Sequence, residues 1–445
     1  MGETLGVPGL GDAASALAQG ADELRQGSAQ LGQGKAEFEH GRVAARSGLA
    51  RATASLADVW YQQLRFADAR DLASNTLKEL GDADPVSTAR LLVARGEGSL
   101  GASGPSPEVT ADLERALELA RAASDEQVEL SALRSLTTVK HESGLGQPED
   151  WREIGELAAR MGSWESAISA KVNGAMMLLD DHAGSVFAPA AEARELAAAH
   201  GMVEHAGWAD YLEAEAAFIS GDWDRAVAAG TRAMDLGEQN AYRRLNVRIV
   251  HVMVPIAAVR GDRAMLERAA AFYASIEGKF QFPDSPYARV VRAAQDLELA
   301  TTGLAPYDLP EVEPRIVAFE DEPAGGSWSA ALDRVFRAWI EAANLDGAAR
   351  AVAAMEAALP RYQGLSSLGR GTFELLRGRL ALARGARDDA SIAARAALEQ
   401  FRRSQAPWWI AKAIRLLERA GSADYQTVSE VFEIERRLGA TEPIR

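Results

Sequence analysis

The sequence predicts an all-α chain: a right-handed α-solenoid of about ten antiparallel helix pairs, with a heptad-patterned helix at its amino end. Three observations predict it. Apolar positions recur three and four residues apart, as in Tyr211, Ala214, Ala217 and Phe218, or Leu376, Leu380 and Ala383, which puts them on one helix face. Turn signals return about every forty residues, as in stacked helical hairpins. No segment alternates apolar and polar residues between hairpin turns, so strands are not expected.

The first element is the segment 1–40. Leu17-x-Gln-Gly20, Leu24-x-Gln-Gly27, Leu31-x-Gln-Gly34 and the variant Phe38-x-His-Gly41 repeat every seven residues, the coiled-coil period. Each interior glycine costs a helix about 1 kcal/mol relative to alanine, so such a helix needs a neighbour to pack on. The first repeat or a second copy of the chain would serve, and the latter makes a homodimer through this helix. A loosely ordered tail is the other reading.

Residues 41–302 and 328–445 carry the helical hairpins. Their turns are placed at Arg65-Phe66, Ser103-Gly104, Gly146, Ala183-Gly184, Gly221-Asp222, Gly261-Asp262, Thr302-Gly303, Asn344, Gly385 and Gly421. Between the two runs, residues 303–327 hold Pro306, Pro310, Pro314 and Pro323. Proline removes a backbone donor and restrains its predecessor, so this acidic stretch is expected to be a solvated connection.

Three segments align: Leu56-Ala57…Phe66-Ala67-Asp68-Ala69…Thr76, Glu213-Ala214…Gly221-Asp222-Trp223-Asp224-Arg225-Ala226…Ala233, and Arg377-Gly378…Gly385-Ala386-Arg387-Asp388-Asp389-Ala390…Ala397. A small residue in the first helix, a turn, and two small residues seven apart in the second resemble the tetratricopeptide repeat. The longer period is similar to the superhelical sensor arrays of MalT-like and large LuxR-type bacterial regulators. The nucleotide-binding and helix-turn-helix domains of those regulators have no counterpart here.

Composition narrows the function. The 445 residues are 47% hydrophobic and 25% charged, enough apolar material for a sizeable core. With no cysteine, disulfides, thiolate metal clusters and a cysteine nucleophile are excluded. A net charge of −16 argues against direct nucleic-acid binding, which rests on phosphate neutralisation. Met1–Gly20 lacks the pattern of a secretory leader. The longest mainly apolar run, Val247–Val259, is broken by Arg248, His251 and Pro255 and is shorter than the ~20 residues of a membrane span. The expectation is a cytoplasmic protein with no membrane contact.

Catalytic motifs are missing. No two of the histidines His40, His141, His182, His200, His205 and His251 are four apart, so the helical zinc pattern does not occur. Gly96-Glu97-Gly98-Ser99-Leu100-Gly101 has the Gly-x-Gly-x-x-Gly spacing. A dinucleotide site, however, needs a helix to begin there, whereas Gly104-Pro105-Ser106-Pro107 follows. No metal, cofactor or enzymatic activity is expected.

The resemblance implies that first helices line a concave face. Projecting the aligned register selects Arg51, Asp58 and Tyr61, then Trp208, Tyr211 and Glu215, then Arg248 and His251, then Arg334 and Glu341, and finally Thr372, Arg379, Trp408 and Arg415. Tryptophan and arginine are frequent anchors of binding energy. Arg361–Arg445 is net basic although the whole chain is acidic, a polarity suited to orienting a charged partner. The sequence therefore reads first as an interaction scaffold that takes a peptide or partner helix in its groove. Its alternative is a ligand-sensing regulatory module with a small-molecule effector.

Overall fold

Helix starts and stops follow local chemistry. Ser106 accepts a hydrogen bond from the Val109 amide ahead of Pro107, Asn344 from the Gly347 amide, and Asp424 from the Thr427 amide; each satisfies a donor that the first helical turn leaves free. Gly221 and Gly421 end their helices at φ 77°, a conformation that glycine adopts without penalty.

The computed structural model describes residues 10–62, 65–80, 85–142, 146–240, 243–277, 286–301, 303–304, 308–309, 326–359 and 366–444. Among them every regular element is a helix, as the sequence predicts. The proline-rich connection at 303–327 lies almost wholly outside the described residues. All ten expected turns fall where one helix ends and another begins or on residues outside that set.

Two units divide the chain, Met1–Leu136 and Thr137–Arg445. The first contains α1 (Leu10–Gln62), α2 (Phe66–Leu80), α3 (Pro85–Ser103) and α4 (Pro107–Ala123), with α5 (Glu126–Glu142) spanning the point of division. The boundary expected at residue 40 instead falls inside α1, an unbroken helix of 53 residues. Its last turns pack on α2 and α3 through Ala50, Thr53 and Ala57. Gly96, Gly98 and Gly101 lie inside α3, where a Cβ on Gly98 would meet the Arg70 backbone at 2.6 Å. Close helix packing, rather than a phosphate turn, explains the glycine spacing.

The second unit runs through α6 (Pro148–Arg160), α7 (Trp164–Met176), the short α8 (Leu179–His182), α9 (Phe187–Ala199), α10 (Val203–Ser220), α11 (Trp223–Asn240), α12 (Arg243–Arg260), α13 (Arg263–Glu277) and α14 (Pro286–Thr301). It continues with α15 (Gly326–Glu341), α16 (Leu345–Ala358), α17 (Ser367–Ala383), α18 (Arg387–Arg403), α19 (Pro407–Ala420) and α20 (Tyr425–Leu438). Consecutive helices form antiparallel hairpins whose facing positions are small. Ala214, Ala226, Ala233, Ala390 and Ala397, which carry the repeat resemblance, are all fully buried, so the helices approach closely.

The first helices of successive hairpins also meet one another. α10 packs on α12, α12 on α15, α15 on α17, α17 on α19, and α19 again on α10. This ring is sealed at α10 and α19 by aromatic side chains. The Phe218 ring lies 5.2 Å from both Trp408 and Trp409, and Trp223 lies 5.8 Å from Trp408. Hydrogen bonds also tie α12 to the carboxyl-terminal end: the Thr441 amide donates to the Val259 carbonyl at 3.0 Å, and the Arg260 side chain donates through Nε to the Leu438 carbonyl at 2.9 Å. Asp180 and Asp181 on α8 cap α17, accepting from the Ser366 hydroxyl and the Ser367 amide.

Trp409 is fully buried in this seam. Trp409→Ala is expected to cost about 3–5 kcal/mol, the range for emptying a large aromatic site, and chemical denaturation of the full chain measures it.

Candidate functional site

Closure of the ring brings charged side chains inward that a short sequence window cannot connect. Asp333, on α15, has no solvent exposure. Arg379 of α17 holds one of its oxygens at 2.7 Å and Lys412 of α19 the other at 2.8 Å. Arg337, one turn further along α15, stands at 3.5 Å. Beside this cluster Arg334 pairs with Glu298 of α14 at 3.0 Å and donates to the Leu297 carbonyl. The Lys412 ammonium also lies 3.5 Å from the Trp408 ring centroid, a cation–π contact.

Electrostatics follow from burial. Desolvation would raise the Asp333 carboxyl, but the charges of Arg379, Lys412 and Arg337 hold it far below the usual carboxylate range. Burial lowers the Lys412 ammonium to about 8, with Asp333 opposing the shift. His251 is pushed well below its ordinary value by burial and by the nearby Arg248 charge, so it is neutral. Burial raises Asp180 well above the carboxylate range in spite of its bond from Ser366.

Two adjoining cavities open on this cluster. The inner one, about 20 Å³, is lined by His251, Gln295, Arg334, Arg337 and Trp408, among others, and has room for a single water. The outer one, about 370 Å³, is bounded by Arg334, Arg337, Trp408, Lys412 and the carboxyl-terminal residues 441–444, with Glu341 and Glu442 also on its wall. Its size lies in the range of small-molecule sites. Gln295 is buried with neither amide atom hydrogen-bonded, and the Trp408 indole N–H and Arg337 Nε have no acceptor.

The residues selected from sequence divide into three groups. His251, Arg334, Glu341 and Trp408 line the cavities, and Arg379 joins them through Asp333. Tyr211, Glu215 and Thr372 are buried in the second unit, Thr372 bonding the Leu368 carbonyl. Trp208 meets Tyr211 edge-on, Arg248 is half-buried near His251, and Arg415 is held by Glu435 and Glu418. In the first unit Arg51 and Asp58 are exposed, and half-buried Tyr61 packs its ring against Phe66. Asp333, Arg337, Lys412, Glu298 and Gln295 were missed. The only sequence signal for them is spacing: Asp333 and Arg337 flank Arg334, and Lys412 follows Trp408 by one turn.

Among the described residues no group of three or more His, Asp or Glu could hold a metal ion. Among them, too, no helix is long and apolar enough to cross a membrane. No family model and no curated protein matches the chain. Among solved structures it is similar to a circular tandem repeat protein with novel repeat topology and enhanced subunit contact surfaces. The two are 15% identical over 89% of this chain and 92% of that one, with a TM-score of 0.16. The all-α assignment rests on this chain's own helices.

Because the folded pKa of Asp333 lies below its unfolded value, its stabilisation is fully present above about pH 4 and is lost as pH falls through the folded value. Neutral His251 adds to the acid loss, since the unfolded chain gains a proton below about pH 6.5 that the folded chain does not. Asp333→Asn leaves three buried cations without their carboxylate. It is expected to cost about 3–5 kcal/mol at neutral pH and to flatten the acid limb of a stability–pH curve measured by urea denaturation.

Proposed function

We propose that the chain is a non-catalytic interaction scaffold, and that it docks a partner helix along the heptad stripe of α1. One observation carries this reading. Leu24 and Leu31 are 77% exposed and Phe38 is 68% exposed, in line at seven-residue spacing on a helix whose glycines Gly20, Gly27, Gly34 and Gly41 have nothing within 4 Å of a Cβ position. Burying a leucine is worth about 1.5–3 kcal/mol, and contiguous apolar surface left in water marks an interaction site. The glycines offer a groove that lets a second helix come close, which offsets their cost to the helix.

Among the described residues the inner helices of the second unit pack against one another. That supports the α1 stripe as the docking surface in place of the concave face expected from the repeat resemblance. The likeness to regulatory arrays points to the same use, surface presented without chemistry.

The partner that fits best is a second copy in parallel register. With Leu24, Leu31 and Phe38 on the seam, Glu37 and Gln30 flank one side and Arg42 and Lys35 the other. Parallel pairing sets Glu37 opposite Arg42 of the other copy and Gln30 opposite Lys35. An antiparallel pair would juxtapose like charges.

Light scattering of the full chain is expected to give twice the 47.5 kDa chain mass, falling to a single chain in a Leu24→Glu/Leu31→Glu variant. The chain has no cysteine, so Gly27→Cys and Gly41→Cys, made separately, report register: each cross-links to itself under oxidation only in a parallel pair. A monomeric wild type with neither cross-link removes the self-paired form.

A further inference from the structure

The outer cavity belongs to the second unit, whereas the α1 stripe belongs to the first. Four buried or nearly buried cations, Arg334, Arg337, Arg379 and Lys412, share two carboxylates, Asp333 and Glu298. Within this cluster the cations therefore exceed the carboxylates by two. Glu341 and Glu442 also border the cavity, but both are exposed at its mouth, where water screens them.

An uncompensated charge in a desolvated site is costly. The cost falls if an anion enters, and three features aim donors at one. Arg337 lines both cavities, its side chain 17% exposed. Its nearest carboxylate oxygens stand at 3.5 and 3.8 Å, beyond hydrogen-bond length, and its Nε has no acceptor. Lys412 uses one of its three donors on Asp333. Trp408, 5% exposed on the wall of both cavities, has an indole N–H with no acceptor.

We propose that this cavity binds a small dicarboxylate, with one carboxylate taken by the Arg337 guanidinium and Lys412 and the carbon chain lying against Trp408. The two negative charges match the excess of this cluster. A planar two-oxygen head matches the guanidinium fork, which favours a carboxylate over a tetrahedral phosphate. About 370 Å³ accommodates a four- or five-carbon chain, and the carboxylates at the mouth exclude a long polyanion.

The test is thermal unfolding of the full chain titrated with succinate, with propionate, phosphate and chloride at matched ionic strength. Succinate is expected to raise the unfolding temperature by several degrees, saturably, with propionate acting more weakly and phosphate and chloride little. Arg337→Gln, which removes no short bond, is expected to weaken succinate at least tenfold, read against that variant's own ligand-free unfolding temperature. Trp408→Phe retains the aromatic wall; it is expected to keep most of the thermal shift and to lose the change in tryptophan fluorescence on binding. No saturable effect of succinate overturns the proposal. So does an equal effect of phosphate or chloride, or an undiminished succinate effect in Arg337→Gln.

Discussion

Asp333 is the point on which the second unit turns. One carboxylate, fully removed from water, gathers cations from α15, α17 and α19, three helices that sequence separates by as many as 79 positions. A buried ion cluster contributes little net stability compared with apolar packing of the same volume. Its geometry is demanding in another sense. Arg379 and Lys412 reach the same carboxylate only when α17 and α19 lie at one height on α15, so a slip of either helix by a turn leaves a buried charge unpaired. Apolar contacts alone would tolerate such a slip more easily, because leucine and alanine faces can repack.

Ring closure, in turn, depends on small residues. A conventional array of helix pairs keeps its concave face open and offers it to partners. Here small residues are needed at particular contacts, and Gly378 illustrates the constraint: a Cβ there would lie 2.8 Å from Leu416 and 3.2 Å from Ala393. Gly221, at the end of α10, is similarly confined by Pro407 at the start of α19. The aromatic seam then fills what curvature leaves, with Phe218, Trp223, Trp408 and Trp409 all within about 6 Å of a neighbouring ring. Surface that an open array would present to a peptide is spent on internal cohesion.

Helices and turns were legible because their causes are local. Turn glycines, capping Ser, Asn and Asp residues, and small residues at facing positions act within one hairpin, and the sequence displays all of them. The length of α1 was less legible, since the glycine at 41 ends the Leu-x-Gln-Gly pattern without ending the helix. The candidate site was read in part. Arg334, Arg379 and Trp408 follow from projecting a repeat register, whereas Asp333 and Lys412 sit on the sides of their helices and matter only once the ring closes. Burial of a lysine or an aspartate has no local signature when its partner lies dozens of residues away.

The same closure explains why charge collects where it does. Arg379 and Lys412 would be solvated on an isolated hairpin, at no electrostatic cost. Joining α17 and α19 to α15 strips their water, and a single aspartate answers both, with Arg337 left at a distance too long for a bond. One further interior carboxylate beside Arg337 would reduce the positive excess that Asp333 and Glu298 leave. Its absence from the inner faces of α15, α17 and α19 leaves the cluster positive beside a cavity bordered by residues 441–444, the site proposed for the dicarboxylate. On the dicarboxylate proposal, stability and exchangeable binding are set by the same residues, and the cluster retains an electrostatic need that its own carboxylates do not fill.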